Sequence, residues 1–175
     1  MGILVYCIVK IAVKALYEAL DEKRRALGMS WAAVTREVNR TRTTLRPIAS
    51  STITGLKDKF GGEGDGVLQM LLWLERTPES FIPGIPDAKA PRYQLPQPGP
   101  GQILRWDTKK LHAALNAKRL ARGMTWNDLA DEIFRHTPAM LTNLAKGGRV
   151  GFPHVMPIVL WLDQPAATFT HLAAW

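Results

Sequence analysis

Residues 123–147, GMTWNDLADEIFRHTPAMLTNLAKG, carry the start and stop signals of two short helices joined by a turn. Thr125 is a good N-cap, and Asp128 three positions later has the place of the acid in a capping box. A second helix is predicted after the N-cap Thr137, with Pro138 at the first helical position, where its missing amide is harmless. Lys146 and Gly147, which close the stretch, are typical of a helix end. The stretch therefore predicts a helix-turn-helix unit.

The first half of the chain repeats this pattern. With a shift of 95 residues, Leu16, Lys23, Arg24 and Gly28-Met29-Ser30-Trp31 align with Leu111, Lys118, Arg119 and Gly123-Met124-Thr125-Trp126. With a shift of 88, Ile53, Leu56 and Leu72-Trp73-Leu74 align with Leu141, Leu144 and Leu160-Trp161-Leu162. The first copy thus holds seven extra residues between Val38 and Ile53. Two diverged copies of one helical domain are predicted, with the four aligned tryptophans as core anchors.

Helical periodicity and capping residues give the same elements in both copies. First helices are predicted over 13–27 and 108–122, second helices over 31–38 and 126–133, and final helices over 67–76 and 155–163. The expected fold is all-α, with two helix-turn-helix bundles joined by a proline-rich linker.

The domain boundaries follow from composition. Six of the twelve prolines lie between Pro83 and Pro100, and proline removes amide donors that a helix needs. Residues 83–106 are therefore predicted to be an extended linker between a first domain over 13–82 and a second over 107–175. The apolar residues 1–12 are predicted to be an N-terminal extension, either an edge strand or a helix extension.

Charge and cysteine content limit the class of protein. The formal net charge is +8 and the pI is about 9.9, which favours an anionic partner such as nucleic acid or an anionic membrane surface. The N-terminal apolar run is too short to cross a bilayer, which needs about 20 apolar residues, so no membrane partner is expected. The single cysteine, Cys7, cannot form an internal disulfide, which fits a reducing compartment and predicts a cytoplasmic protein.

Catalytic and cofactor motifs are missing from the sequence. The four histidines are scattered and one cysteine cannot build a cysteine-rich zinc site, so no metal is predicted. The glycine-rich run 61–66 lacks the Lys-Ser or Lys-Thr that would make it a phosphate loop. We expect neither a cofactor nor an enzyme activity.

The chain resembles the lambda-repressor-like family (XRE, Cro and phage repressor type) in the stretch 123–147 and in the closing apolar segment around Trp161. The equivalent segments of the first half share this resemblance. This resemblance implies that the third helix of each copy enters the major groove of double-stranded DNA. Carried onto this chain, the expected base-contacting residues are Pro138, Ala139, Met140, Thr142 and Asn143 in the second copy, and Ser50, Ser51, Thr52 and Thr54 in the first. Asn143 is the strongest candidate, because asparagine can bond both N6 and N7 of adenine.

Basic residues concentrate near both predicted third helices. Six basic and two acidic side chains lie between Trp31 and Phe60, and six basic and three acidic ones between Lys118 and Arg149. The expected phosphate contacts are Arg36, Arg40, Arg42, Arg46 and Lys57 in the first copy, and Arg135, Lys146 and Arg149 in the second. The inserted arginines of the first copy fit a phosphate-gripping loop and an ordinary exposed loop equally well.

The main hypothesis is a sequence-specific DNA-binding protein, a transcriptional regulator, in which one chain acts as a covalent pseudo-dimer. A linker rising about 3.1 Å per residue could span the ~34 Å between half-sites one helical turn apart. The sequence does not decide between inverted and direct half-sites, and it leaves the oligomeric state undetermined. The alternative is a protein-interaction module, antitoxin-like or a phage accessory factor, that uses the same fold without specific DNA readout.

Overall fold

The computed structural model describes residues 2–41, 47–58, 62–82, 91–133 and 135–175, and side chains from Val13 onward. The first half contains α1 (Gly2–Ala26), α2 (Trp31–Val38), α3 (Ser50–Thr54) with a 3₁₀ turn (Gly55–Lys57), α4 (Gly64–Leu74) and a 3₁₀ turn (Pro78–Phe81). A short turn (Pro91–Tyr93) precedes β1 (Gln102–Trp106), α5 (Thr108–Ala121), α6 (Trp126–Glu132), α7 (Pro138–Asn143) with a 3₁₀ turn (Leu144–Lys146), α8 (Phe152–Leu162), a 3₁₀ turn (Ala166–Phe169) and β2 (Thr170–Ala174). None of the helices in this described part combines the length and apolar character that a membrane crossing needs.

The predicted helix boundaries are largely confirmed, because the capping chemistry forms as expected. Gly28 and Gly123 end α1 and α5 in the left-handed conformation, with φ of 63° and 65°. Thr125 and Asp128 form the reciprocal capping box at the start of α6. The N-terminal extension is helical from Gly2 and continues into α1, so the edge-strand interpretation of residues 1–12 is wrong.

The aligned basic and tryptophan residues make the same contacts in both halves. Lys23 Nζ donates to the carbonyl of Trp73, and Lys118 Nζ to the carbonyl of Trp161, each at 2.6 Å. Each lysine also lies over the ring of its tryptophan. The tryptophans are only partly buried and pack against the edge of the core. These repeated residues therefore join the first helix of each half to its last helix.

The two halves share one continuous hydrophobic core, in contrast to the separate bundles that the sequence predicted. Helix α4 contacts α8, α1 contacts α8, and β1 contacts α4. Leu71 on α4 and Val155 on α8 are both completely buried in this core. The proline-rich segment thus does not hold the halves apart.

The linker prediction is wrong for its last residues, since Gln102–Trp106 form β1 and pair antiparallel with β2. Its prolines end at Pro100, and Ile103, Leu104 and Trp106 behind them are buried. The edge of β1 that faces away from β2 is covered by first-half side chains: Gln69 Nε2 donates to Leu104 O at 2.9 Å, and Trp106 N donates to Asp65 Oδ1 at 3.1 Å. The fold is therefore mostly helical with one small sheet, which all-α describes only broadly.

A short junction joins the halves through equivalent residues. Gly64 N donates to Val150 O at 2.9 Å, and Phe152 N donates to Gly62 O at 3.0 Å, around an antiparallel bridge between Glu63 and Gly151. Residues 62, 63 and 64 align with 150, 151 and 152 under the shift of 88. The two hydrogen bonds are thus exchanged by a local pseudo-two-fold rotation. Since α4 and α8 begin at these residues, the same rotation relates the two helices.

Candidate nucleic-acid interface

The third helix of the second half, α7 with its 3₁₀ turn (residues 138–146, the α7 segment), presents an exposed outer face. The Thr137 hydroxyl caps it by accepting from Met140 N at 3.2 Å, as the sequence predicts. Leu141 and Leu144 are buried and hold the segment against the body, in contact with α6 and α5. Asn143 is exposed at the end of the helix. The segment is a short rod anchored on its inner side only.

The five predicted base-contacting residues of this segment differ in exposure. Ala139 and Asn143 are exposed, and so is Met140, at 37%. Pro138 and Thr142 are half-buried, and the Thr142 hydroxyl donates to Pro138 O at 3.0 Å. Thr142 can therefore offer a partner mainly an acceptor. The outer face is formed by an amide, a thioether and a methyl group.

The first half offers a shorter and more hydroxyl-rich segment, α3 with its 3₁₀ turn (residues 50–57, the α3 segment). Ser51 is exposed, while Ser50, Thr52 and Thr54 are half-buried. The Thr54 hydroxyl donates to Ser50 O at 3.2 Å and is turned to its own backbone. Ala49 occupies the N-cap position and gives no side-chain cap. The N-terminus of α3 thus lacks the side-chain cap that Thr137 provides for α7.

Asn39 fixes the inserted turn of the first half at its base. Its Nδ2 donates to Thr35 O at 2.7 Å and to Ile48 O at 3.0 Å, and its Oδ1 accepts from Ile48 N at 2.8 Å. Thr41 adds a second anchor, since its carbonyl accepts from Gly101 N at 2.6 Å. The end of α2 is therefore bonded directly to Ile48, two positions before α3 begins, despite the seven extra residues. Sequence reasoning missed Asn39, because its partner lies nine positions away across the inserted loop.

Of the predicted phosphate contacts, Arg36, Arg40, Lys57, Arg135, Lys146 and Arg149 are exposed, and Arg42 and Arg46 lie outside the described residues. Arg135 occupies the turn between α6 and α7 with a φ of 61°. The neighbouring His136 places Nε2 3.0 Å from His154 O and so ties this turn to α8. Burial and the positive charge of Arg135 lower the pKa of His154.

The basic cluster of the second half is smaller around α7 than its count suggested. Lys118 and Arg119 are used within the fold, the latter donating to Met124 O at 3.0 Å. Arg122 pairs with Glu132 through two bonds of 2.7 and 2.8 Å, and these bonds lower the pKa of the Glu132 carboxyl. The predicted phosphate contacts Arg135, Lys146 and Arg149 lie beside α7, and the Lys109 side chain also approaches the end of the segment at Gly147.

Two clefts flank the segments. The α7 cleft, about 290 Å³, is lined by Met140, Asn143 and Arg149, together with His136, Leu144, Gly148, Val150, Gly151, His154 and Ile158. The α3 cleft, about 480 Å³, is lined by Thr52 and again by Arg149, together with Pro47, Ile48, Ala49, Glu63, Asp65, Gly66, Ile103, Arg105 and Trp175. Arg149 thus lies between the two segments. Within the described ranges, no group of three or more histidine, cysteine, aspartate or glutamate side chains could hold a metal ion.

Comparisons of this chain with protein-family models, with curated proteins and with solved structures found no match.

Proposed function

We propose that the chain is a sequence-specific DNA-binding protein, a transcriptional regulator, that inserts the α7 segment into a major groove. The observation that carries this proposal is the exposed face of α7, formed by Ala139, Met140 and Asn143 on a helix whose inner leucines are buried. An asparagine amide can recognise adenine, and an apolar side chain can contact the methyl group of thymine. The exposed cations Arg135 and Lys146 flank this face and suit phosphate contacts.

The pseudo-two-fold junction supports binding by both halves of one chain. We infer that the same rotation also relates α3 to α7, so that both segments face the same way along its axis. Half-sites one helical turn apart are separated by about 34 Å. We infer two inverted half-sites, with different sequences because the outer faces of α3 and α7 differ.

A salt titration with a charge-reversal variant tests DNA binding. Binding of the chain to a labelled random duplex should weaken steeply as salt rises, because phosphate contacts release counterions. A Lys146→Glu/Arg149→Glu chain should bind at least about tenfold more weakly. A Lys14→Glu/Arg92→Glu chain has the same net charge and alters two exposed cations that line neither the α3 cleft nor the α7 cleft. Equal affinity of the two variants, or binding insensitive to salt, would favour the protein-interaction alternative.

A further inference from the structure

Arg149 stands close to the pseudo-two-fold axis. Its neighbour Val150 accepts the junction hydrogen bond from Gly64, and Gly151, two positions on, forms the bridge with Glu63. Its side chain is exposed and lines both the α7 cleft and the α3 cleft. The guanidinium is therefore placed between the two segments that the proposed function assigns to the major groove.

The surroundings leave Arg149 available to a ligand. Among the described residues it forms no hydrogen bond and no ion pair within 4 Å, although its charge acts on Asp65. The two acids of the α3 cleft have other partners: Glu63 accepts from Gly66 N, and buried Asp65 accepts from Trp106 N. Burial raises the pKa of Asp65, whose Oδ2 also lies 3.8 Å from Arg105 Nε.

The position has no basic counterpart in the first half. Under the shift of 88, Arg149 aligns with Gly61. The proposed contact of Arg149 therefore comes from the second half only.

Two inverted half-sites one helical turn apart turn their major grooves toward the protein, so the minor groove faces it midway between them. A·T-rich DNA narrows this groove and deepens its negative potential, which attracts an inserted arginine. Resting on the proposed function, we propose that Arg149 enters the central minor groove and makes the chain select an A·T-rich spacer. This assigns Arg149 a specificity role in place of the simple phosphate contact that the sequence predicted.

A spacer library tests the proposal. Duplexes in which both half-sites and the central five base pairs vary independently are bound to the wild-type chain and sequenced. The wild type should favour A·T over G·C spacers about fivefold or more. In Arg149→Ala the same half-sites should be enriched, with a spacer preference below about twofold. Arg149→Lys should recover affinity but not the preference, because a lysine is a more strongly hydrated point charge.

Lys146→Ala is the matched control, since it removes a cation three positions away. It should weaken binding to all spacers alike and keep the wild-type preference. An unchanged preference in Arg149→Ala, or its full recovery in Arg149→Lys, would overturn the minor-groove role while leaving DNA binding intact. Absence of any enriched half-site in the wild type would instead overturn the proposed function.

Discussion

Replacing Gly64 with alanine should strongly destabilise the junction between the halves. A Cβ at this position would stand 2.3 Å from Val150 O and 2.8 Å from Trp106 Cδ1. The Val150 carbonyl belongs to the backbone and cannot rotate aside as a flexible side chain can. The two backbone segments of the junction must therefore move apart by about 1 Å to reach an ordinary van der Waals distance. Loss of the two junction hydrogen bonds, at about 1 kcal/mol each, and of part of the Trp106 packing gives a cost of about 2–4 kcal/mol.

Gly66→Ala is the matched control, because it lies in the same first turn of α4. Its Cβ would meet only Glu63 Oε2, at an ordinary 3.5 Å. Alanine is favoured over glycine inside a helix by roughly 0.5–1 kcal/mol, so this variant should be slightly stabilised. Thermal unfolding followed by circular dichroism should place Gly64→Ala about 5–15 °C below the wild type and Gly66→Ala at or above it. Equal melting temperatures for the two variants would refute the close approach at the junction.

Three further perturbations probe the buried acid and the first half. Burial raises the pKa of the Glu79 carboxyl, so the folded state keeps a proton that the unfolded chain loses near pH 4.5, and stability falls as pH rises toward the folded pKa. Glu79→Gln should therefore make the Tm fall less steeply between pH 4 and 8. Parallel Tm profiles of the two proteins would contradict this. Ala49→Ser supplies the missing N-cap of α3 and should raise the free energy of unfolding in urea by about 1 kcal/mol, where no gain would argue against the helix start. Asn39→Ala removes the acceptor of the Ile48 amide and should speed hydrogen exchange at that amide about tenfold or more, whereas unchanged exchange would mean that Asn39 does not hold the loop.

Local signals in the sequence were sufficient for the helices. Thr125 with Asp128, Thr137 with Pro138, and the left-handed glycines act within one or two turns, so their effects could be predicted from spacing alone. The outer face of the α7 segment was instead expected from the family resemblance. The internal repeat predicted that Lys23 and Lys118 have equivalent places, but not that they bond helix-end carbonyls.

Contacts between distant segments could not be predicted in this way. The shared core depends on α4 meeting α8, and the strand at Gln102–Trp106 depends on β2 pairing with it from the other end of its half. Trp106, the last residue of the predicted linker, is buried and donates from Nε1 to Gly64 O at 3.2 Å. The prolines of residues 83–100 indicated a non-helical segment, but they carried no information on how closely the two halves pack.

The most direct test of the central claim is selection of bound sequences from a random duplex library by the wild type and by Asn143→Ala. Asn143 is exposed, so the variant should fold normally, which its circular dichroism and Tm would show. The account predicts an imperfect inverted repeat for the wild type and loss of a preferred adenine in one half-site for Asn143→Ala. An identical motif from both proteins, or no enriched motif from the wild type, would contradict it.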